Sequence, residues 1–344
     1  MPNITREAEA TFKKAQKMMS KISRRAMAAA IAFAMAALSG VDATAQAVPK
    51  FIRIVVAYPA GGVSDTVARA LGDKLATQLG TTVVIENKAG ASGTIGMDAV
   101  AKAVPDGATL GFSAISPLVL SPHLGKLPFD PRKDIEPVAS VMYSPVLLLA
   151  TPASTSKDFK ALLADARARP GAIRWATSGQ ASLGHITLEQ LRLAAGISVT
   201  HVPYKGGGQQ MNDALSGQFE ILSTNAGPTL TQHVQSGKLR PLAVGAPTRL
   251  ANLPGVPTLA ELGFPTANLS SLFGVFAPAG LPPALLARYN AEINKALAST
   301  DLRARLQATD NVATGGSAAA FARTIAAEYE SNASVVKASN LMAD

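Results

Sequence analysis

Two hydrophobic periods take turns along this chain. Short runs of valine, isoleucine and leucine end at glycine, proline or serine, and each leads into a stretch whose apolar positions recur at helical spacing. The first unit, IVVAYPAGGVSDTVARALGDKL at 54–75, sets the pattern. Ile54, Val55, Val56 and Ala57 predict a strand, and Pro59, Gly61 and Gly62 stop it. Val67, Leu71 and Leu75 then predict a helix that Ser64 or Asp65 would cap. A second unit has a strand over 82–85, the glycine loop ENKAGASGTIG over 86–96, and a helix carrying Met97, Val100 and Ala101. A third strand over 109–113 runs into Ser113 and Ser116, and proline-rich loops fill 117–137.

The apolar run 138–151 reads as a strand passing into another lobe, where the alternation resumes. Helices are expected over 159–168, 185–195, 209–215 and 229–236, and strands over 173–176, 199–202, 219–223 and 239–244. A returning strand over 269–276 precedes long helices over 283–298 and 317–339. Such serial alternation predicts an α/β fold, a mostly parallel sheet flanked by helices. Apolar crossings at Tyr143-Ser144-Pro145 and Ser270-Ser271-Leu272 predict two lobes joined by two crossover strands. Residues 46–146 and 271–344 would form one lobe and 147–270 the other.

The glycine bends are the candidate chemistry. The first N–H groups of a helix lack partners and its dipole is positive there, so a glycine turn that opens a helix suits an anion. The same glycines equally serve a plain tight connection, and Asp65 suits a helix cap as well as a ligand contact. The G-x-x-G-x-x-G of 90–96 lacks the tight G-x-G of a dinucleotide loop, follows a second strand, and has no suitably placed ribose-binding acid. No cofactor is expected. No G-x-S-x-G, H-E-x-x-H or G-x-x-x-x-G-K-[ST] occurs, and none of His123, His185, His201 and His233 has a second histidine at i, i+4 with which to hold a metal. A hydrolase of small carboxylate derivatives, built on Ser182 and His185, is therefore the weaker rival.

Charge and composition place the chain. Lys13, Lys14, Lys17, Lys21, Arg24 and Arg25 precede an apolar run at 26–38, and Ala43-Thr44-Ala45 offers a cleavage site. These predict a signal peptide over 1–45, the ordinary secretory route and a periplasmic product. That segment carries seven of the 32 Lys and Arg and three of the 23 Asp and Glu, so the net charge falls from +9 to +5 on cleavage. No nucleic-acid partner is implied. The absence of cysteine excludes thiol catalysis and cysteine-ligated metals, and leaves an exported fold to its core alone.

Taken in order, YPAGGVSD at 58–65, the loop 86–96, VPYKGGG at 202–208, GKLRPLAV at 237–244, LPGVPT at 253–258 and FGVFAPAG at 273–280 resemble one family. They are similar to the Bug-type solute receptors of tripartite tricarboxylate transport systems, across essentially the whole mature chain. The resemblance implies a two-lobed periplasmic-binding-protein fold, a Venus flytrap, acting as a monomer. It would close over a small organic acid (a di- or tricarboxylate or an aromatic carboxylate) and deliver it to membrane permease subunits. A ligand sensor for a membrane regulator would close in the same way.

The resemblance further implies that main-chain amides and ordered waters grip one carboxylate. On this chain the grip falls at Tyr58, Ala60, Gly61, Gly62 and Asp65 and at Ala89, Gly90, Ser92 and Gly93, with Ser113 and Ser116 beside them. Facing loops bearing Thr177, Ser178, Ser182, His185, Tyr204, Gly206 and Asn225 would select the rest of the ligand. Many members carry aspartate just before that asparagine; Thr224 stands there in this chain and argues against an amino group on the ligand. Valine at Gly61 or Gly90 is expected to abolish binding and leave the fold intact.

Overall fold

The computed structural model describes residues 12–14, 16–18 and 47–339. Residues Met1–Gln46 and Ala47–Asp344 are separate compact units, and the expected signal peptide lies almost wholly outside the described residues. No described helix is long and apolar enough to cross a membrane.

The second unit opens with β1 (Phe51–Val56), α1 (Val63–Leu79), β2 (Thr82–Asn87), α2 (Thr94–Ala101) and β3 (Thr109–Ala114). The intervening helices bring β2 and β3 alongside β1 in parallel. The expected proline-rich loop holds two one-turn helices, α3 (Ser116–Val119) and α4 (Ser121–Leu124). Proline sits in the first turn of each, where its missing N–H costs nothing. Next comes β4 (Ile135–Ala150), followed by α5 (Phe159–Ala168), β5 (Arg174–Thr177), α6 (Leu183–Ala195), β6 (Thr200–Pro203), α7 (Gly207–Leu215) and β7 (Ile221–Asn225). The chain continues through α8 (Pro228–Gln235), β8 (Arg240–Gly245), β9 (Ser270–Pro278), α9 (Pro283–Ala298), α10 (Thr300–Gln307), β10 (Val312–Ala313) and α11 (Ala318–Ser339).

The strands run in the order β2-β1-β3-β9-β4-β7-β5-β6, with β8 and β10 also on β4. Parallel pairing holds within β2-β1-β3 and β6-β5-β7, whereas β4 and β9 pair antiparallel with each other and with their neighbours. The sheet is therefore mixed: two parallel groups connected through antiparallel strands. β4 pairs with β9 as far as Pro145, and from Val146 onward with β7 and β8. A single strand thus serves both groups, and its run Leu147, Leu148, Leu149 is buried on both faces.

Alternate residues of a strand face opposite sides, so Ile54 and Val56 feed one core with Leu71, Phe112 and Tyr289, while Val55 and Ala57 feed another with Met97, Phe276 and Phe321. The second group has the same two-sided plan, with Trp175, Leu188 and Ile221 on one face and Leu149, Phe219 and Leu230 on the other. Each such Val, Leu, Ile, Phe or Met side chain contributes about 1.5–3 kcal/mol by leaving water.

Against α6, His185 and His201 stack with ring centroids 4.1 Å apart. His185 Nδ1 accepts the Ala181 N–H at 3.2 Å, and His201 Nε2 lies 2.8 Å from Thr177 Oγ1. Burial, then His201 and Arg192, pulls His185 down to about 3, and burial with Arg192 pulls His201 down to about 4. Both rings are neutral in the folded chain, whereas the unfolded chain protonates them at about pH 6.5. Between those limits the unfolded state binds more protons, so stability falls as pH falls. The melting temperature is expected to drop between about pH 7 and about pH 5, and His201→Gln to flatten that slope. Calorimetry showing the same slope in the variant would contradict a neutral pair.

Candidate functional site

The site begins where β1 turns into α1. Gly61 takes φ 81°, a left-handed conformation that glycine alone holds without strain, and Gly62 is the cap residue of α1. The Gly61 N–H donates to Asp65 Oδ2 at 3.0 Å, and Asp65 pairs with Arg69 at 2.8 Å. Arg69 in turn donates to Asn87 Oδ1 at 3.2 Å, and Asn87 donates to the Tyr58 carbonyl at 3.1 Å. Burial alone would raise the Asp65 carboxyl; Arg69, the Gly61 amide and Asn87 outweigh it and hold it below its ordinary value. The bend is braced from behind. Gly62, Val63 and Ser64 sit at a helix start, where amides have no carbonyl from a preceding turn.

A second bend follows β2. Gly90, Ala91, Ser92 and Gly93 all have positive φ, at 137°, 45°, 53° and 101°. The Tyr58 hydroxyl donates to the Ser92 carbonyl at 3.4 Å, and burial pushes that phenol up to about 12, so it keeps its proton. Ser92 Oγ donates to the Gln180 carbonyl, which belongs to the other strand group. Pro59 lies so close to Gly206 that a Cβ there has no room, and Gly227 packs near Val63. With these rims in contact, the conformation is a closed one.

Three helices start on the facing side. Ser182 caps α6 by accepting the His185 N–H at 3.3 Å, while Gly206 and Gly227 are the cap residues of α7 and α8. Between all these helix starts lies a cavity of about 330 Å³, within the range of small-ligand pockets. None of its lining residues is Lys, Arg, His, Asp or Glu. A larger recess of about 680 Å³ adjoins it, sharing Ser116, Leu183 and Ser271, and is also bordered by Asp310 and Glu328, which suit no anion.

Of the residues singled out in the sequence, Tyr58, Ala60, Gly61, Gly62, Ser92, Ser116, Ser178, Ser182 and Asn225 line the cavity. The others stand back from it. Asp65 braces the bend, and Ala89 is exposed. Gly90 packs on Ile95, and Gly93 on Pro117 and Tyr58. Ser113, Thr177 and His185 are buried, the last two bonded within the second group. The Tyr204 hydroxyl donates to Asp213 at 2.7 Å, and Gly206 is held by Pro59. The expectation for valine at Gly61 and Gly90 changes accordingly. The Gly61 amide is already bonded to Asp65, and a Cβ at Gly90 would strike Ile95, so neither substitution isolates ligand contact.

Met211, Asn212, Thr229 and Leu230 also border the cavity, although no motif marked them, and so does Phe273, for which no ligand role was expected. A helix that aims its first turn at a site brings along residues just beyond that turn, which accounts for Met211 and Asn212 after Gly207 and Gly208. Phe273 comes from β9, where it opens the motif FGVFAPAG, but nothing in that motif says that it faces the cavity.

Comparison with known proteins identifies the family. The model of the tripartite tricarboxylate transporter family receptor, TctC, matches residues 67–341. Protein BugT of Bordetella pertussis is 38% identical over 250 residues, covering 72% of this chain and 76% of that one. An R. palustris protein solved with adipate superposes with a TM-score of 0.80 at 29% identity, covering 86% of this chain and 98% of that one. MatC from Rhodopseudomonas palustris, solved with bound malate, gives 0.78 at 29% identity, covering 83% and 98%. The chain belongs to the receptor family of the tripartite tricarboxylate transporters, whose members bind solutes and are not enzymes.

Proposed function

We propose that this chain captures one small carboxylate in the periplasm by closing two lobes on it, divided near residues 146 and 270, and presents it to a membrane permease. The supporting observation is the cavity wall, on which helix starts converge from both strand groups and no side chain is charged. The relatives that hold adipate and malate support the ligand class.

The energetics suffice without an arginine. Micromolar capture needs about 8 kcal/mol, while one helix end supplies about 0.3–1, or about 2 when partly buried. Hydrogen bonds to a charged acceptor contribute about 1.5–3 kcal/mol each, so three or four amides reach the required range. Leu183, Met211, Leu230 and Phe273 in the wall lower the local polarity and strengthen those bonds. An acid that touches both sides stabilises the closed state over the open one.

Gly207 offers a direct test. It lines the cavity, and a Cβ there would meet only Thr224 Oγ1, at 3.8 Å. With the acid found by a thermal-shift screen of small carboxylates, Gly207→Leu is expected to weaken binding about a hundredfold by filling the cavity, with the unliganded melting temperature little changed. Unchanged affinity in titration calorimetry would contradict a ligand at this place. A second test follows from the uncharged wall, whose one ionisable group is Tyr58. Affinity for a fully ionised acid is expected to stay flat between about pH 5.5 and 9. Loss of binding with a midpoint of about 6.5 would instead show that a histidine carries it.

A further inference from the structure

Asn225 ends β7 and lines the cavity. Its Nδ2 donates to the Ser144 carbonyl at 3.1 Å and to Ser271 Oγ at 2.9 Å. Ser144 and Ser271 are partners in the β4–β9 ladder, beside the point where β4 passes from one strand group to the other. A carboxamide has two N–H bonds, and both are engaged here. Because a backbone carbonyl only accepts, the positions of the amide nitrogen and oxygen are fixed. Oδ1 is left, an acceptor with no protein donor among the described residues. Ser271 also lines the cavity; its oxygen has accepted a bond, and its own proton is left to give.

An acceptor and a donor therefore stand together in the wall of the cavity proposed to bind the acid, where Ser271 also borders the larger recess. From this pair we infer that the acid taken by this chain carries a hydroxyl group, which donates to Asn225 Oδ1 and accepts from Ser271 Oγ. The inference rests on the carboxylate-receptor function proposed above and narrows it to hydroxycarboxylates. The alternatives fit less well. A carboxylate oxygen against Oδ1 sets acceptor against acceptor. An ammonium group brings donors only, and no acidic residue lines the cavity to balance its charge. A plain methylene leaves both polar groups without a ligand partner. The same amide ties the ligand to both connecting strands, so Asn225 is a positioning residue for the closed state as well as a specificity determinant.

Matched pairs of acids test this by calorimetry on the wild-type chain: malate against succinate, lactate against propionate, and mandelate against phenylacetate. In the pair whose carbon skeleton fits, the hydroxylated acid is expected to bind about tenfold more tightly, the worth of about one good hydrogen bond. Asn225→Ala is expected to bring that ratio close to one. A merely structural role would weaken both acids equally and keep the ratio. Ser271→Ala leaves the Asn225–Ser144 bond in place and is expected to reduce the ratio too, which keeps the test decisive where the Asn225 variant does not fold. Equal affinities within every pair that binds would overturn the hydroxyl assignment and leave the receptor function standing. Failure of every acid to bind would overturn both.

Discussion

Peptide N–H groups without partners are the constraint that organises this molecule. Helix starts present several of them together, pointing one way, so the fold must deliver several helix starts to one place and keep each open. Parallel strands do the delivering. The bend at Gly62 follows β1, that at Gly90 follows β2, Ser116 follows β3, Ser182 follows β5, Gly206 follows β6 and Gly227 follows β7. Every one lies beyond the carboxyl end of a strand with a parallel neighbour, the side of an open α/β sheet where ligands collect. Because β4 runs through both groups, the two sets of bends face each other across one cavity.

Charged side chains take part, but from behind. Asp65 and Arg69 never reach the cavity; they fix Gly61 and Asn87, and through Asn87 the Tyr58 carbonyl. In the function proposed above, the cationic work falls to backbone dipoles, which are already oriented and lose no side-chain freedom on binding. An uncharged wall has a second consequence: the closed cavity stays compatible with apolar residues such as Leu230 and Phe273, since no buried charge needs a counter-ion. On that proposal, closure also excludes water from the bonds that hold the ligand.

Much of this was legible in the residues. The period of apolar positions placed the helices over Phe159–Ala168 and Pro283–Ala298, and glycine and proline marked the turns that border the cavity. The crossing at Tyr143-Ser144-Pro145 was visible in the apolar run 138–151, which falls within the sixteen residues of β4 but for its last position. Much of what stayed hidden depends on contacts between separate elements. Nothing local says that Tyr204 bonds Asp213 or that His185 stacks on His201. Asp65 differs: its partners Gly61 and Arg69 are each four residues away, and that spacing left a helix cap and a ligand contact equally open. The one-turn helices α3 and α4 were missed because proline was taken as a loop signal, although it is equally at home in a first helical turn. The antiparallel direction of β9 was likewise invisible, since alternation alone does not give strand direction.

The central claim is that main-chain amides at the paired bends hold the acid. Its most direct measurement is a titration of the isotope-labelled chain followed by amide nuclear magnetic resonance. Saturable downfield shifts of the Gly62, Val63 and Ser64 amide protons, together with amides of the facing helix starts, are the predicted result. Tight binding that left those amides unmoved, and shifted arginine or lysine side-chain signals instead, would contradict it.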